Sequence, residues 1–211
     1  MNTKPTWTIL IATLGQRQEK FAHLLDILMP QVEEFNGKIQ VMAYWNNGEL
    51  PLGTIRQLLI DEATTDYVSF IDDDDEVPPN FCKEVYRRLG KVDYVGWRMQ
   101  AYNNGEPLKP TYHSISYEEW YDDEKGFYRN ISHLNPIKRD IAMKGSFISE
   151  QGVAEDKPWA DQVAPFVKTE SFIPDVMYMY YHEAEDSKWR GVTGPQNYTQ
   201  PTVERRYFRF Y

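Results

Sequence analysis

Tyr67-Val68-Ser69-Phe70-Ile71-Asp72-Asp73-Asp74-Asp75 is a short apolar run that passes without a spacer into four consecutive aspartates. Residues 67–71 have the composition of a buried strand. Open α/β sheets take their ligands in the crevice beyond the carboxyl ends of their strands, so the aspartates stand where a site is expected. Four adjacent carboxylates repel one another unless some are solvated or a cation lies among them. A hard divalent ion, Mn²⁺ or Mg²⁺, would neutralise them, holding one or two carboxylates together with substrate phosphates. A solvated acidic turn without a ligand is the alternative that the residues alone leave open.

On both sides of this stretch the pattern alternates between strand and helix, as in a mostly parallel α/β sheet with flanking helices. Trp7–Ala12 and Ile39–Trp45 read as buried strands, the second ended by the turn formers Asn46-Asn47-Gly48. Between them, Gln16 to Val32 reads as a helix with Phe21, Leu24, Leu25 and Leu28 on one face. Thr54 is placed to cap a helix bearing Ile55, Leu58 and Leu59, and Asn80 one bearing Phe81, Val85 and Leu89. Tyr94–Met99 is a fourth strand, and Asn103-Asn104-Gly105 a hairpin turn. An aromatic, acidic stretch then reads as loop with short elements to about Ser132. Pro136 suits the first turn of a helix through Met143, Glu155–Val167 reads as a helix, and Val176–Tyr181 as a last strand. The chain divides into one domain over 1–190, with a nucleotide-binding half (6–100) and an acceptor-side half (101–190), and a basic aromatic tail over 191–211.

The 211 residues are 41% hydrophobic and 15% aromatic, enough to bury a core and offset the entropy of ordering. A net charge of −9 argues against a broad nucleic-acid-binding face, which needs clustered Lys and Arg. Eight acidic side chains fall between Asp61 and Glu76 with no Lys or Arg among them, so much of that charge surrounds the candidate site. The single cysteine, Cys82, excludes an internal disulfide framework. No apolar run approaches the ~20 residues of a membrane helix, and a cytoplasmic protein is expected. On that expectation the sequons Asn130-Ile131-Ser132 and Asn197-Tyr198-Thr199 are coincidental.

The strand followed by Asp72-x-Asp74-Asp75 and Pro78 resembles the aspartate motif of family 2 glycosyltransferases of the A-type fold. Other segments match that family in order. Ile9–Thr13 with Arg17 resembles its first strand and nucleotide-facing loop, and Gly53-x-x-Arg56-Gln57 with Ala63 the stretch that carries an arginine near the nucleotide. His133–Arg139 resembles the segment before the acceptor side, and Ala154-Glu155-Asp156 the pair containing the general base. The resemblance implies a single A-type domain and a metal-dependent, inverting transfer of one sugar from a nucleotide diphosphate sugar, expected to be a uridine one, to an acceptor hydroxyl. It implies Thr13, Arg17, Arg56, Asp72 and Asp73 as nucleotide-sugar contacts, Asp74 as a metal ligand and Asp156 as the base. Asn46 and Asn47 stand where the family usually has an aspartate bonding the base. The Gln-x-x-Arg-Trp motif of processive synthases is missing, so single transfer is expected.

Several of these residues have a plainer reading. Glu155 and Asp156 suit a helix first turn, where acids favour the positive dipole end. His182, after the last strand, would complete the metal shell or be a structural residue; His133 has acceptor contact as its functional option. Arg56 suits a bidentate phosphate bond or a surface ion pair. Tyr112, Trp120, Tyr121, Phe127 and Tyr128 would form an acceptor pocket or pack beneath a lid. Rival functions are a sugar nucleotidyltransferase or phosphohydrolase using the same aspartates, and a cation-dependent carbohydrate-binding module. The acceptor is open among a glycan, a lipid-linked sugar, a protein or a modified viral DNA base.

Overall fold

The computed structural model describes residues 4–148, 156–182 and 207–210. Three parallel strands form the first half: β1 (Trp7–Leu14) lies between β2 (Ile39–Asn46) and β3 (Tyr67–Phe70). Their runs of buried apolar residues are what a strand covered on both faces requires. After a 3₁₀ turn at Gly15–Arg17, α1 (Gln18–Glu33) buries Phe21, Leu24, Leu28 and Val32. α2 (Leu52–Glu62) begins three residues earlier than the Thr54 cap suggests, because Pro51 is the N-cap, with an extended backbone, and Thr54 is buried inside the helix. α3 (Phe81–Tyr86) follows the acidic turn. Trp7, Phe81 and Trp97 make a ring-to-ring core, with centroids 5.7 and 5.6 Å apart.

The second half is organised around β4 (Tyr94–Asn103). It turns into β5 (Glu106–Pro107) through Asn104 and Gly105, both at positive φ (50° and 82°), the two-residue hairpin expected there. β6 (Thr111–His113) pairs antiparallel with β4. The aromatic stretch adds β7 (Tyr121–Asp122) and β8 (Phe127–Arg129) at the sheet edge. Pro136 does not open a helix: its carbonyl accepts from Val95 N–H, and Ile137–Lys138 form β9 between β3 and β4 before α4 (Arg139–Ala142) begins. Pairing with two distant strands overrides the proline's local preference for a helix start. α5 (Asp156–Val163) leads through a 3₁₀ turn to β10 (Glu170–His182). β10 begins six residues before Val176 because the ladder absorbs Pro174, which lacks an N–H, in a register irregularity between Ile173 and Val176. The long ladders, β1 with β2 and β4 with β10, are parallel, and the antiparallel pairs are short.

From the basic aromatic tail, Tyr207–Phe210 are described and form β11, antiparallel to β2. Tyr207 meets Tyr44 edge-on at 5.3 Å and Arg209 pairs with Glu62 at 2.8 Å, so this segment covers a sheet edge. No described helix is long and apolar enough to cross a membrane.

The strands of the second half are tied together by a buried amide. His113 Nδ1 donates to Asn135 Oδ1 at 2.7 Å, and Asn135 Nδ2 donates to Val95 O at 2.9 Å. Burial pushes the His113 imidazole down to about 4, aided by the Arg129 charge and opposed by the Asn135 bond. The unfolded chain takes this proton near pH 6.5 while the folded one resists it until about pH 4, so stability is lost as pH falls through that window. The thermal midpoint is expected to drop between pH 6.5 and 4, with up to ~1.4 kcal/mol per pH unit from this proton. In His113→Asn that slope should be shallower; an unchanged slope would assign the acid sensitivity elsewhere.

Candidate functional site

The acidic turn begins where β3 ends. Ile71 N–H still bonds to Leu10 O at 3.0 Å, and the chain then folds back with Asp75 N–H donating to Asp72 O at 3.2 Å. The four carboxylates point to different partners. Asp72, 29% exposed, accepts from Arg56 Nη2 at 3.3 Å. Asp73, buried, accepts from Arg17 Nη1 at 2.8 Å, which also lies 3.0 Å from Asp74. Burial raises the Asp73 carboxyl, and Arg17 and the Thr13 hydroxyl oppose that rise. Arg17 and Arg56 thus lie against the acidic turn from the β1 and α2 sides.

Asp75 is 2% exposed, and among the described residues no Lys or Arg forms an ion pair with it. It accepts from the Tyr178 hydroxyl at 2.8 Å and from Tyr181 N–H at 2.8 Å, both on β10. The Tyr178 oxygen in turn accepts from Asp72 N–H at 3.0 Å. Burial, then the Asp72 and Asp74 charges, push the Asp75 carboxyl well above its usual range. Glu76 extends the seam by exchanging backbone bonds with Met179, accepting from Tyr181 Oη at 3.2 Å, and meeting His23 Nε2 at 2.9 Å. Sequence reasoning missed Tyr178 and Tyr181; the only trace of them was a tyrosine-rich strand.

The asparagines after β2 differ in role. Asn46 is buried, with Oδ1 accepting from Glu49 and Leu50 N–H and Nδ2 donating to Leu50 O, so its amide is engaged inside the turn. Asn47 is exposed and accepts from Trp45 Nε1 at 3.2 Å. A Cβ on Gly15 would lie 2.6 Å from Asn47 Oδ1, so the glycine lets the loops after β1 and β2 approach. Asn47 is therefore the one of the pair whose amide reaches the surface.

In the second half, Asp156 opens α5 and is partly exposed; Ala154 and Glu155 lie outside the described residues. The Asp156 charge acts on Arg129, whose guanidinium lies 4.9 Å over Trp120, and Lys157 approaches the same ring at 5.5 Å. Tyr112, Tyr128 and Tyr121 stack in a row, with centroids 5.4 and 4.6 Å apart, and Phe127 meets Lys109 at 4.7 Å. His182 ends β10 opposite Asn103, just beyond the Asp75 clamp. His133 is buried beside aromatic rings. It is 6% exposed, its ring 5.6 Å from Phe70 and 6.0 Å from Phe147, and among the described residues neither of its nitrogens has a hydrogen-bond partner. Burial, then the Arg56 charge, keeps this imidazole well below its usual range.

Among the described residues no three His, Cys, Asp or Glu side chains converge as a preformed metal cage. The donor chemistry nevertheless suits a hard cation. Asp72 and Asp74 oppose the ionisation of Asp75 between them, and one or two carboxylates plus substrate phosphates are what Mg²⁺ and Mn²⁺ ordinarily require.

Tyr178→Phe should leave the Asp72 N–H and the Asp75 carboxylate short of a buried partner and destabilise the fold by ~1–3 kcal/mol. Tyr181→Phe removes a longer, less buried bond and should cost less. Chemical denaturation of the two variants checks the order; equal losses would place the clamp elsewhere.

A family model described as glycosyl transferase family 2 matches residues 33–149. Among solved structures, crystal structures of S. aureus TarS 1–349 share the fold. One has a TM-score of 0.60 at 15% identity over 83% of this chain and 60% of that chain. TarS 1–349 in complex with UDP gives 0.60 at 15% identity over 88% and 63%. TarS 1–349 in complex with UDP-GlcNAc gives 0.59 at 14% identity over 84% and 58%. This chain therefore spans about three fifths of the TarS 1–349 chains it matches. No curated protein matches the sequence. The family match covers more than half of the chain, from the end of α1 through the acidic turn and β4 to the residues before α5, and the chain belongs to glycosyl transferase family 2.

Proposed function

We propose that this chain transfers one sugar from a uridine diphosphate sugar to an acceptor hydroxyl, with inversion at the anomeric carbon. The observation that carries the reading is the acidic turn at the end of β3, held between two arginines on the β1 and α2 sides and the Asp75 clamp on β10. Arg17 and Arg56 each rest on an aspartate and offer guanidinium groups suited to a diphosphate. Asn47 offers an exposed amide to the base. The UDP and UDP-GlcNAc complexes of TarS, a protein of the same fold, support a uridine nucleotide.

Asp74 and His182 would hold Mn²⁺ or Mg²⁺, the ion supplying positive charge that offsets the departing diphosphate. Asp156 accepts the acceptor hydroxyl proton as the new glycosidic bond forms and the bond to the diphosphate breaks. Direct displacement by a single acceptor inverts the anomeric centre. Trp120 and the Tyr112-Tyr128-Tyr121 row, close to α5, offer flat faces to the apolar C–H surfaces of an acceptor sugar.

Donor hydrolysis and transfer, measured over a panel of nucleotide sugars with and without Mn²⁺, tests this reading. Activity should require the metal and disappear with chelator. Asp156→Asn should lower kcat by ~10²–10⁴-fold while leaving UDP affinity nearly unchanged. Full activity of Asp74→Ala in chelator would remove the metal assignment, and release of pyrophosphate would instead assign a nucleotidyltransferase.

A further inference from the structure

We propose that Trp45 is a positioning residue for base recognition. Its indole N–H fixes which end of the Asn47 amide meets the nucleotide, and so selects a base with a carbonyl edge, uracil, over one with an amino edge, cytosine. The inference rests on the nucleotide-sugar reading above and deepens it.

A side-chain amide carries an acceptor at one end and two donors at the other, and a half-turn about its last bond exchanges them. An asparagine free to make that turn reads carbonyl and amino edges alike. Asn47 is held in one orientation. Trp45 Nε1 lies 3.2 Å from its Oδ1, and an indole N–H can only donate. The turned amide would set N–H against N–H, so the oxygen stays toward the ring. Nδ2, which no described hydrogen bond engages, is the end left for a ligand on this exposed residue.

The surroundings fix the rest of Asn47. Its N–H donates to the Glu49 carboxylate at 3.1 Å, and the buried Asn46 amide closes the same turn. Opposite stands Gly15, which opens the 3₁₀ turn that ends at Arg17, and Arg17 in turn holds Asp73. A Cβ on Gly15 would lie 2.6 Å from Asn47 Oδ1 and 3.5 Å from Trp45 Nε1, so the glycine leaves room for the bond between them. The amide therefore sits one short turn from the acidic site, with its polarity already set. Uracil presents carbonyl oxygens on both sides of its N3–H, whereas cytosine carries an amino group, N4, in place of O4. An amide NH₂ facing that amino group leaves donors unpaired on both partners, which costs more than a contact simply not made.

The test uses the full chain in the presence of Mg²⁺ and compares calorimetric Kd values for UDP and CDP. The wild type should prefer UDP by about tenfold or more, the size of one hydrogen bond. Trp45→Phe keeps a ring and removes the N–H, so the amide can turn; UDP should weaken, CDP should strengthen, and the two should come within about threefold. Gly15→Ala, whose new methyl pushes Oδ1 away from the indole, should lose the preference in the same way. In an Asn47→Ala background, adding Trp45→Phe should leave the UDP-to-CDP ratio unchanged. A preference retained in Trp45→Phe or Gly15→Ala, with both nucleotides weakened equally or not at all, would overturn the proposal. So would a further change of the ratio in the Asn47→Ala background, which would assign the ring a contact of its own with the base. A wild type that binds UDP and CDP equally would overturn this inference and leave the nucleotide site standing; one that binds neither would overturn both.

Discussion

A buried carboxylate with no cation paired to it among the described residues is the constraint around which this molecule is arranged. Asp75 is removed from water and flanked by like charges on Asp72 and Asp74, so it is tolerable only because β10 brings it a hydroxyl and an N–H. Those bonds cross 103 and 106 residues of sequence, joining the nucleotide-side half to the last strand of the acceptor side. The same tyrosine oxygen takes the Asp72 N–H. The turn that presents carboxylates to the crevice is thus fixed from behind, and Asp72 and Asp74 can face ligands without the backbone yielding to their repulsion.

Much of the architecture was legible from local runs of residues. Trp7–Ala12, Ile39–Trp45 and Tyr67–Ile71 are apolar and bounded by turn formers, so strands follow from composition, and the aspartates after the third mark the crevice. The structure extends each by at most two residues or ends it one early. What local sequence could not show depends on partners far along the chain. Ile137–Lys138 are a strand because β3 and β4 leave a place between them, although Pro136 invites a helix. Asn46 looked like a base contact because its position matches the family pattern, but the turn's own N–H groups claim its oxygen. His133 could be read as an acceptor contact or as a structural residue, and its burial beside Phe70 and Phe147 comes from a backbone bond to Phe70 that local sequence does not show.

Around the acidic turn, Arg17 and Arg56 rest on carboxylates. In the second half Lys157 and Lys109 also pair with Asp161 and Asp122, and Arg129, Lys157 and Lys109 lie over aromatic faces as well. A cation over a ring keeps its charge while covering apolar surface. Trp120, whose indole N–H is tied to Asn130 at 3.0 Å, carries two such cations next to the helix that begins at Asp156.

The irregular register of β10 has a further meaning. Between the Ile173–Trp97 and Tyr178–Met99 pairs, β10 advances five residues while β4 advances two, so three residues are accommodated without partners. Side chains alternate along a strand, and an odd surplus reverses which side each later residue faces. Tyr178 reaches Asp75 because of that reversal. The orientation of the whole clamp is therefore encoded as a count of residues around Pro174. Lineages that gain or lose one residue there would turn the Tyr178 ring away from the acidic turn even with every side chain of the site retained. The length of this segment is as much a part of the site as the aspartates are.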